Sequence, residues 1–173
     1  EHPCQALADL LTIDEHLGKL DGVKAAFIGD GNNVARSLCL GLSAVGAGFA
    51  IAAPEGYNLD VETLELARQG RGQVLALVDP IEAVRGADVV YTDVWASMGQ
   101  EKEQISRARD FANYQVHAAL LAEAHPDAIF LHCLPARRGQ EVTDEVMDGS
   151  HSRVVEQAEN RLHLQKGLLI WLL

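Results

Sequence analysis

Five short runs of apolar, β-prone residues recur along the chain, at 25–29, 49–53, 74–78, 88–92 and 128–132. None alternates apolar with polar residues, so each reads as a strand covered on both faces, and the segments between them are long enough to hold a crossover helix. Few folds are open to a chain patterned this way. Helical patterns at 32–45, 61–71, 80–85, 105–124, 143–147 and from 155 to the end alternate with the runs. The alternation predicts an α/β fold, a doubly wound, Rossmann-like parallel sheet of about five strands with helices on both faces. Such sheets bind ligands in the crevice beyond the carboxyl ends of their strands, so candidate chemistry belongs in the turns that follow the runs.

Composition narrows the partners. A length of 173 residues is about one domain, and 48% hydrophobic content excludes a disordered chain. Without repeats, low-complexity tracts or linkers, residues 1–173 read as a single domain. The net charge of −11 argues against general affinity for nucleic acid or an anionic membrane, both of which need clustered Lys and Arg. The longest apolar run, 168–173, falls far short of the roughly 20 residues that span a bilayer. Cys4, Cys39 and Cys133 are widely spaced, with no CxxC pair and no histidine at metal-finger spacing. They are expected to be free thiols in a reducing, cytoplasmic compartment, and neither a metal nor an organic cofactor is expected. Residues 1–20 read as an amphipathic helix, unlike a signal peptide, and the absence of an initial methionine suggests that the numbering starts inside a longer polypeptide.

Several turns carry unusual residues. The first strand runs into Gly29-Asp30-Gly31-Asn32-Asn33-Val34 and a helix. This is either a glycine turn that brings amides against a ligand or a turn in which Asn32 simply caps the helix. Val34 stands where a dinucleotide fingerprint needs its third glycine, although Glu55 lies where a ribose-binding acid would. The fourth strand ends at Asp93, followed by Val94-Trp95-Ala96-Ser97-Met98-Gly99. Asp93 can hold a cationic amine or be a solvated turn residue with Trp95 packed on a helix. The fifth gives His132-Cys133-Leu134-Pro135, where Cys133 reaches the sheet's carboxyl edge and His132 reads as a satisfied core histidine. In the first helix His2 and Gln5 lie one turn apart, away from the Leu7, Leu10, Leu11, Leu17 stripe, facing solvent or a shared site. Arg161, early in the last helix, opposes the helix dipole unless an anion, a polarised oxygen or Glu159 compensates it.

Taken together, His2-Pro3-Cys4-Gln5, Gly29-Asp30-Gly31-Asn32-Asn33, Asp93-x-Trp95-x-Ser97-Met98-Gly99, His132-Cys133-Leu134-Pro135 and Glu159-Asn160-Arg161 resemble the ornithine carbamoyltransferase family, in the family's order. The resemblance implies transfer of the carbamoyl group from carbamoyl phosphate to the side-chain amine of L-ornithine, giving L-citrulline and phosphate, as in arginine biosynthesis or the urea cycle. It implies that Asn33, Asp93, Ser97 and Met98 hold ornithine, that His2, Gln5, Cys133, Leu134 and Arg161 meet carbamoyl phosphate, and that Cys133, Arg161 and His2 are catalytic. The 93–99 loop is then expected to close on substrate. Nothing here resembles the family's amino-terminal phosphate clamp, S-T-R-T-R. The chain therefore looks like the ornithine-binding half alone, inactive by itself. Helices at about 1–18 and 155–173 would pack on the missing domain, and the family's trimer would rest mainly on that domain.

The implied chemistry requires a neutral amine, whereas an amine with a pKa near ~10 is almost wholly protonated at pH 7, so the site must desolvate it or accept its proton. Cys133 is one candidate acceptor. Alternatives from the residues are a nucleotide-binding module built on Gly29-Asp30-Gly31 and Glu55, a non-catalytic amino-acid-binding domain, or a transcarbamylase for another amine.

Overall fold

The computed structural model describes residues 1–96 and 103–173. Strands β1 (Lys24–Ile28), β2 (Gly48–Ala52), β3 (Val74–Leu77), β4 (Val89–Thr92) and β5 (Ile129–His132) form one parallel sheet in the order β3-β2-β1-β4-β5. Each starts within one residue of its expected position. The continuous apolar runs have the expected cause. Along β1, Ala25 and Phe27 enter one core and Ala26 and Ile28 the other, so both faces of the strand exclude water. Burying a side chain the size of Phe27 contributes roughly 2–3 kcal/mol. Strand β3 departs from the expectation: as an edge strand it leaves Leu75 exposed.

Eight α-helices surround the sheet in the described residues: α1 (Pro3–Leu17), α2 (Asn33–Ala44), α3 (Val61–Ala67), α4 (Pro80–Val84), α5 (Gln104–Asp110), α6 (Ala118–Leu121), α7 (Asp144–Met147) and α8 (Val154–Leu172). Residues of α1, α2 and α3 fill one core, and those of α4, α6 and α7 the other. The helix expected over 61–71 stops at Ala67, because Gly70 and Gly72 run against the end of α2; a Cβ on Gly72 would collide with the Ala47 carbonyl oxygen. The helix expected over 105–124 is broken into α5, a 3-10 turn (Ala112–Tyr114) and α6. At Val116 the chain turns extended and bridges Val142, the Val116 N–H donating to Glu141 O at 2.8 Å, which interrupts any helix there.

Helices α1 and α8 pack on one another through polar side chains. Gln157 Nε2 donates to Asp9 Oδ1 at 2.6 Å, Asn160 Nδ2 to Thr12 Oγ1 at 3.0 Å and to Glu15 Oε2 at 2.7 Å, and Arg161 Nη1 to Gln5 Oε1 at 2.5 Å. Gln5, expected to face away from the helix's packed side, is buried in this ladder. Arg161 is paired with Gln5, while Glu159 lies against His163 at 3.5 Å. Beyond the ladder, Leu162, Leu169, Ile170, Trp171 and Leu172 of α8 are exposed.

Strand order reverses at β1, whose neighbours β2 and β4 lead to opposite ends of the sheet. The crevice beyond the carboxyl ends of β1 and β4 is thus the place the topology opens for a ligand.

Candidate active site

Register brings the turns together. Ile28 pairs with Thr92, and Thr92 with His132, so Gly29, Asp93 and Cys133 leave the sheet side by side. Cys133 Sγ donates to Asp93 Oδ1 at 3.1 Å, and Oδ1 also accepts from the Val94 N–H at 2.8 Å. The other oxygen, Oδ2, accepts from Asn32 Nδ2 at 2.7 Å. Asn32 serves both readings of its turn: its Oδ1 caps α2, accepting from Val34 and Ala35 N–H at 3.0 Å each, and its Nδ2 is left for Asp93. Asn33, named from the sequence, is exposed on the first turn of α2, next to that contact. Ser97 and Met98 lie outside the described residues.

Asp93 is 7% exposed, and among the described residues no cationic side chain lies within 4 Å of it. A buried carboxylate is stable only when its charge is answered, and here three neutral donors do so without a counter-ion. Such a group is suited to an incoming ammonium. Cys133 has the opposite character: burial, then the Asp93 charge, pushes its thiol far above the usual range. In this state it is a neutral donor to Asp93.

The turn after β5 is built on His132. The fully buried imidazole accepts the Leu134 N–H on Nδ1 at 2.9 Å and meets Glu141 Oε1 through Nε2 at 3.2 Å, as a satisfied core histidine should. Leu134 follows with φ of 56° and a cis peptide bond to Pro135. Left-handed backbone costs a leucine about 1–2 kcal/mol, which its His132 contact helps to hold. The Leu134 side chain is 38% exposed at the head of a groove of about 900 Å³ that includes Pro135, Met147 and Val155. No sequence signal announced this backbone geometry.

Gln5 and Arg161 meet on the α1 side, and His2 joins them electrostatically: burial and then Arg161 lower its pKa, while Asp93 raises it. His2, expected as either a solvated or a site residue, is half-buried, with its backbone N–H donating to Ser37 Oγ at 2.9 Å. Among the described residues Arg161 Nε is buried without a hydrogen-bond partner. A guanidinium with a donor to spare suits a polarised oxygen. Beneath both groups, Asp9 accepts from Gln5 Nε2 at 2.8 Å and from Tyr91 OH at 3.1 Å, joining α1 to β4. Sequence reasoning passed over Asp9 and Gln157, because a polar residue on an amphipathic helix looks like a solvated one, and Tyr91, because it sits inside an apolar strand.

A second missed group flanks the loop after β4. Arg107 Nη1 donates to Asp30 Oδ2 at 2.8 Å and to the Trp95 carbonyl at 2.9 Å, and its Nε to Glu103 Oε2 at 3.1 Å. It stacks 5.0 Å above the Tyr57 ring and ties residues on both sides of 97–102 to the glycine turn. Trp95 stacks on Phe111, centroids 5.9 Å apart, and so belongs to the core.

The turn does not favour a dinucleotide. The first N–H groups of α2 are taken by Asn32, Asp30 is paired with Arg107, and a Cβ on Gly31 would come within 2.5 Å of the Asn58–Leu59 backbone. For a metal, Asp93, His132 and Cys133 offer ligand atoms within 4.8 Å of one another. Binding there would require the thiol to lose its proton and His132 Nδ1 to release Leu134.

Residues 21–172 match the family model for the aspartate/ornithine carbamoyltransferase Asp/Orn-binding domain. The chain is 58% identical over 172 residues to ornithine carbamoyltransferase of Bacillus subtilis (strain 168), covering 97% of this chain and 54% of that protein. Among solved structures, ornithine carbamoyltransferase from Pyrococcus furiosus superposes with a TM-score of 0.94 at 51% identity, over 98% of this chain and 55% of that one. The Gloeobacter violaceus enzyme does so with 0.88 at 51%, over 98% and 57%. This chain thus spans about half the length of the relatives it matches. On this likeness, over a sheet whose switch point gathers Asp93, Asn32 and Cys133, the chain belongs to the aspartate/ornithine carbamoyltransferase family and carries its Asp/Orn-binding domain.

Proposed function

We propose that this chain supplies the ornithine-binding half of an ornithine carbamoyltransferase, in which the side-chain amine of L-ornithine attacks the carbonyl carbon of carbamoyl phosphate. The observation that carries this reading is Asp93, a buried carboxylate with three neutral donors and no counter-ion among the described residues. It offers an ammonium of ornithine a buried negative charge that neutral donors hold without a counter-ion. Asn32 and Cys133 hold its oxygens in place, and Asn33 stands beside them at the mouth. Ser97 and Met98 complete the ornithine contacts in the family's pattern.

The reaction forms an N–C bond and breaks the C–O bond to phosphate. Arg161, with its unpartnered Nε, and the half-buried His2 face the oxygen on which negative charge develops, and Gln5 stands beside them. One such donor is worth about 3 kcal/mol in the transition state. Cys133 touches the reacting region as a neutral thiol and fixes Asp93; the amine's proton leaves with the departing phosphate or to water. The Leu134 carbonyl, turned by the left-handed backbone, is the acceptor for the carbamoyl amide.

The partners are L-ornithine, carbamoyl phosphate and the part of the relatives that this chain does not cover, on which the homotrimer depends. Three free cysteines fit a reducing cytoplasm; no helix of the described residues is long and apolar enough to cross a membrane. The test joins the chain to the uncovered part of the Bacillus subtilis relative and assays citrulline. Citrulline formation by the joined protein and none by the 173-residue chain is the expected result. A joined, folded protein that forms none overturns the reading.

A further inference from the structure

One buried acid takes no part in the chemistry above, yet it stands behind a group that the chemistry uses. Glu141 is fully buried, and the segment that carries it is fixed from outside: its carbonyl accepts the Val116 N–H at 2.8 Å, and Val142 bridges Val116. Its Oε1 accepts from the Arg137 N–H and meets His132 Nε2 at 3.2 Å. Oε2 is buried without a partner among the described residues. The hold of the Glu141 side chain on the 132–141 turn therefore passes through one oxygen.

An oxygen that accepts the Arg137 N–H has no proton of its own to offer the ring, whether or not Oε2 carries one. The proton of the neutral imidazole is therefore drawn to Nε2, which leaves the lone pair on Nδ1. Nδ1 is where the Leu134 N–H arrives, at 2.9 Å. The opposite tautomer would set N–H against N–H. Leu134 needs this contact, because its φ of 56° is left-handed backbone that a leucine avoids when nothing holds it there. The ring is buried, and the His132 backbone is itself tied, its N–H donating to Gln157 Oε1 at 2.9 Å. Past the turn, Leu134 is exposed, and no backbone donor among the described residues reaches its carbonyl oxygen.

We propose that Glu141 is a positioning residue: by setting the tautomer of His132 it holds Leu134 in the left-handed turn, and so fixes the carbonyl assigned above to the carbamoyl amide. The kinetic consequence rests on the proposed function; the tautomer and the turn do not. Substitution separates this role from plain packing. Glu141→Gln keeps an acceptor towards Nε2 and Arg137, since an amide NH2 placed there would face two donors, so the tautomer should survive. Glu141→Met fills similar space, offers no such acceptor and releases the tautomer. His132→Asn puts an amide oxygen near the place of Nδ1, where it can accept the N–H two residues on with no partner at position 141. Added to Glu141→Met, it should restore the turn, whereas lost packing would not be restored by a smaller side chain.

Two measurements test the proposal. In the 173-residue chain, nitrogen NMR reads which His132 ring nitrogen carries the proton, and whether Nδ1 shares a scalar coupling with the Leu134 amide nitrogen across the hydrogen bond. Wild type and Glu141→Gln should show the proton on Nε2 and the coupling, and Glu141→Met should lose the coupling. The wild-type spectrum needs no substitution: a proton on Nδ1, or a Leu134 amide uncoupled from the ring, overturns the proposal even if every variant fails to fold. In the chain joined to the uncovered part of the Bacillus subtilis relative, Glu141→Met should lower kcat/KM for carbamoyl phosphate about tenfold, the worth of one hydrogen bond. The KM for L-ornithine at saturating carbamoyl phosphate should stay unchanged, and adding His132→Asn should recover most of the loss. A folded Glu141→Met protein with wild-type coupling and kcat/KM, or a loss that His132→Asn does not relieve, overturns the proposal. A wild-type joined protein that forms no citrulline overturns the proposed function alone, and the NMR measurements still decide what holds Leu134.

Discussion

Asp9 predicts a stability term with an uncommon sign. Its carboxyl is pushed from 3.8 to about 6 by complete burial. Because the folded state holds the proton more tightly than the unfolded state, the contribution is fully present below pH 3.8 and is lost as pH rises through about 6. A shift of about 2 units at ~1.36 kcal/mol each gives roughly 3 kcal/mol over the window, of which about half remains at pH 5. Asp9→Asn removes the titration but keeps the volume. Other carboxylates, such as Asp60 and Asp148, whose hydrogen bonds lower their pKa values, act in both proteins and cancel in the difference. Urea unfolding at pH 4, 5 and 8, followed by tryptophan fluorescence and circular dichroism, measures the gap. The stability of the variant relative to wild type should improve by about 2.4 kcal/mol between pH 4 and pH 8, nearly all of it below pH 7. Parallel pH profiles for the two proteins would refute the reasoning, because the buried carboxyl would then ionise as easily folded as unfolded.

Three further outcomes are expected. Arg107→Met strands Asp30 and releases both flanks of residues 97–102; it should cost about 3–5 kcal/mol in urea unfolding, with part of the loss recovered when Asp30 is also made Leu. Cys133, with its thiol pushed upward, should react with iodoacetamide at pH 8 far more slowly than a free thiol, as read by mass spectrometry of the labelled chain, and a rate like that of free cysteine would contradict the protonation state assigned to it. The exposed Leu169, Ile170 and Trp171 of α8 should make the 173-residue chain self-associate in sedimentation velocity, and replacing Leu169 and Ile170 by Lys should reduce it; a monodisperse wild-type monomer would count against that role.

The sheet was legible because burial on both faces writes an unbroken apolar run, and β1, β4 and β5 each obey it. The rim followed from the topology: once the strands were placed, Asp93 and Cys133 had to emerge close together. The α1–α8 interface was not legible. Gln5, Asp9, Thr12, Gln157, Asn160 and Arg161 recur at helical spacing like a solvated face, and only the presence of a second polar face turns that pattern into a buried ladder. The contact of Asn32 with Asp93 was hidden for a related reason. A cap uses one end of the amide, and sequence does not show where the other end points. Val116 lay inside a helical pattern, yet its bridge to Val142, 26 positions on, ended the helix; no local rule contains that contact.

The most direct test of the account is the KM for L-ornithine in citrulline formation by the joined protein at saturating carbamoyl phosphate, for wild type and Asp93→Asn. If Asp93 answers the charge of a substrate ammonium, the substitution should raise that KM about 100-fold, as expected for ~3 kcal/mol of buried ion pairing, and leave the KM for carbamoyl phosphate unchanged. An equal KM for ornithine in the two folded proteins would contradict the claim that the rim formed by β1, β4 and β5 is where ornithine is held.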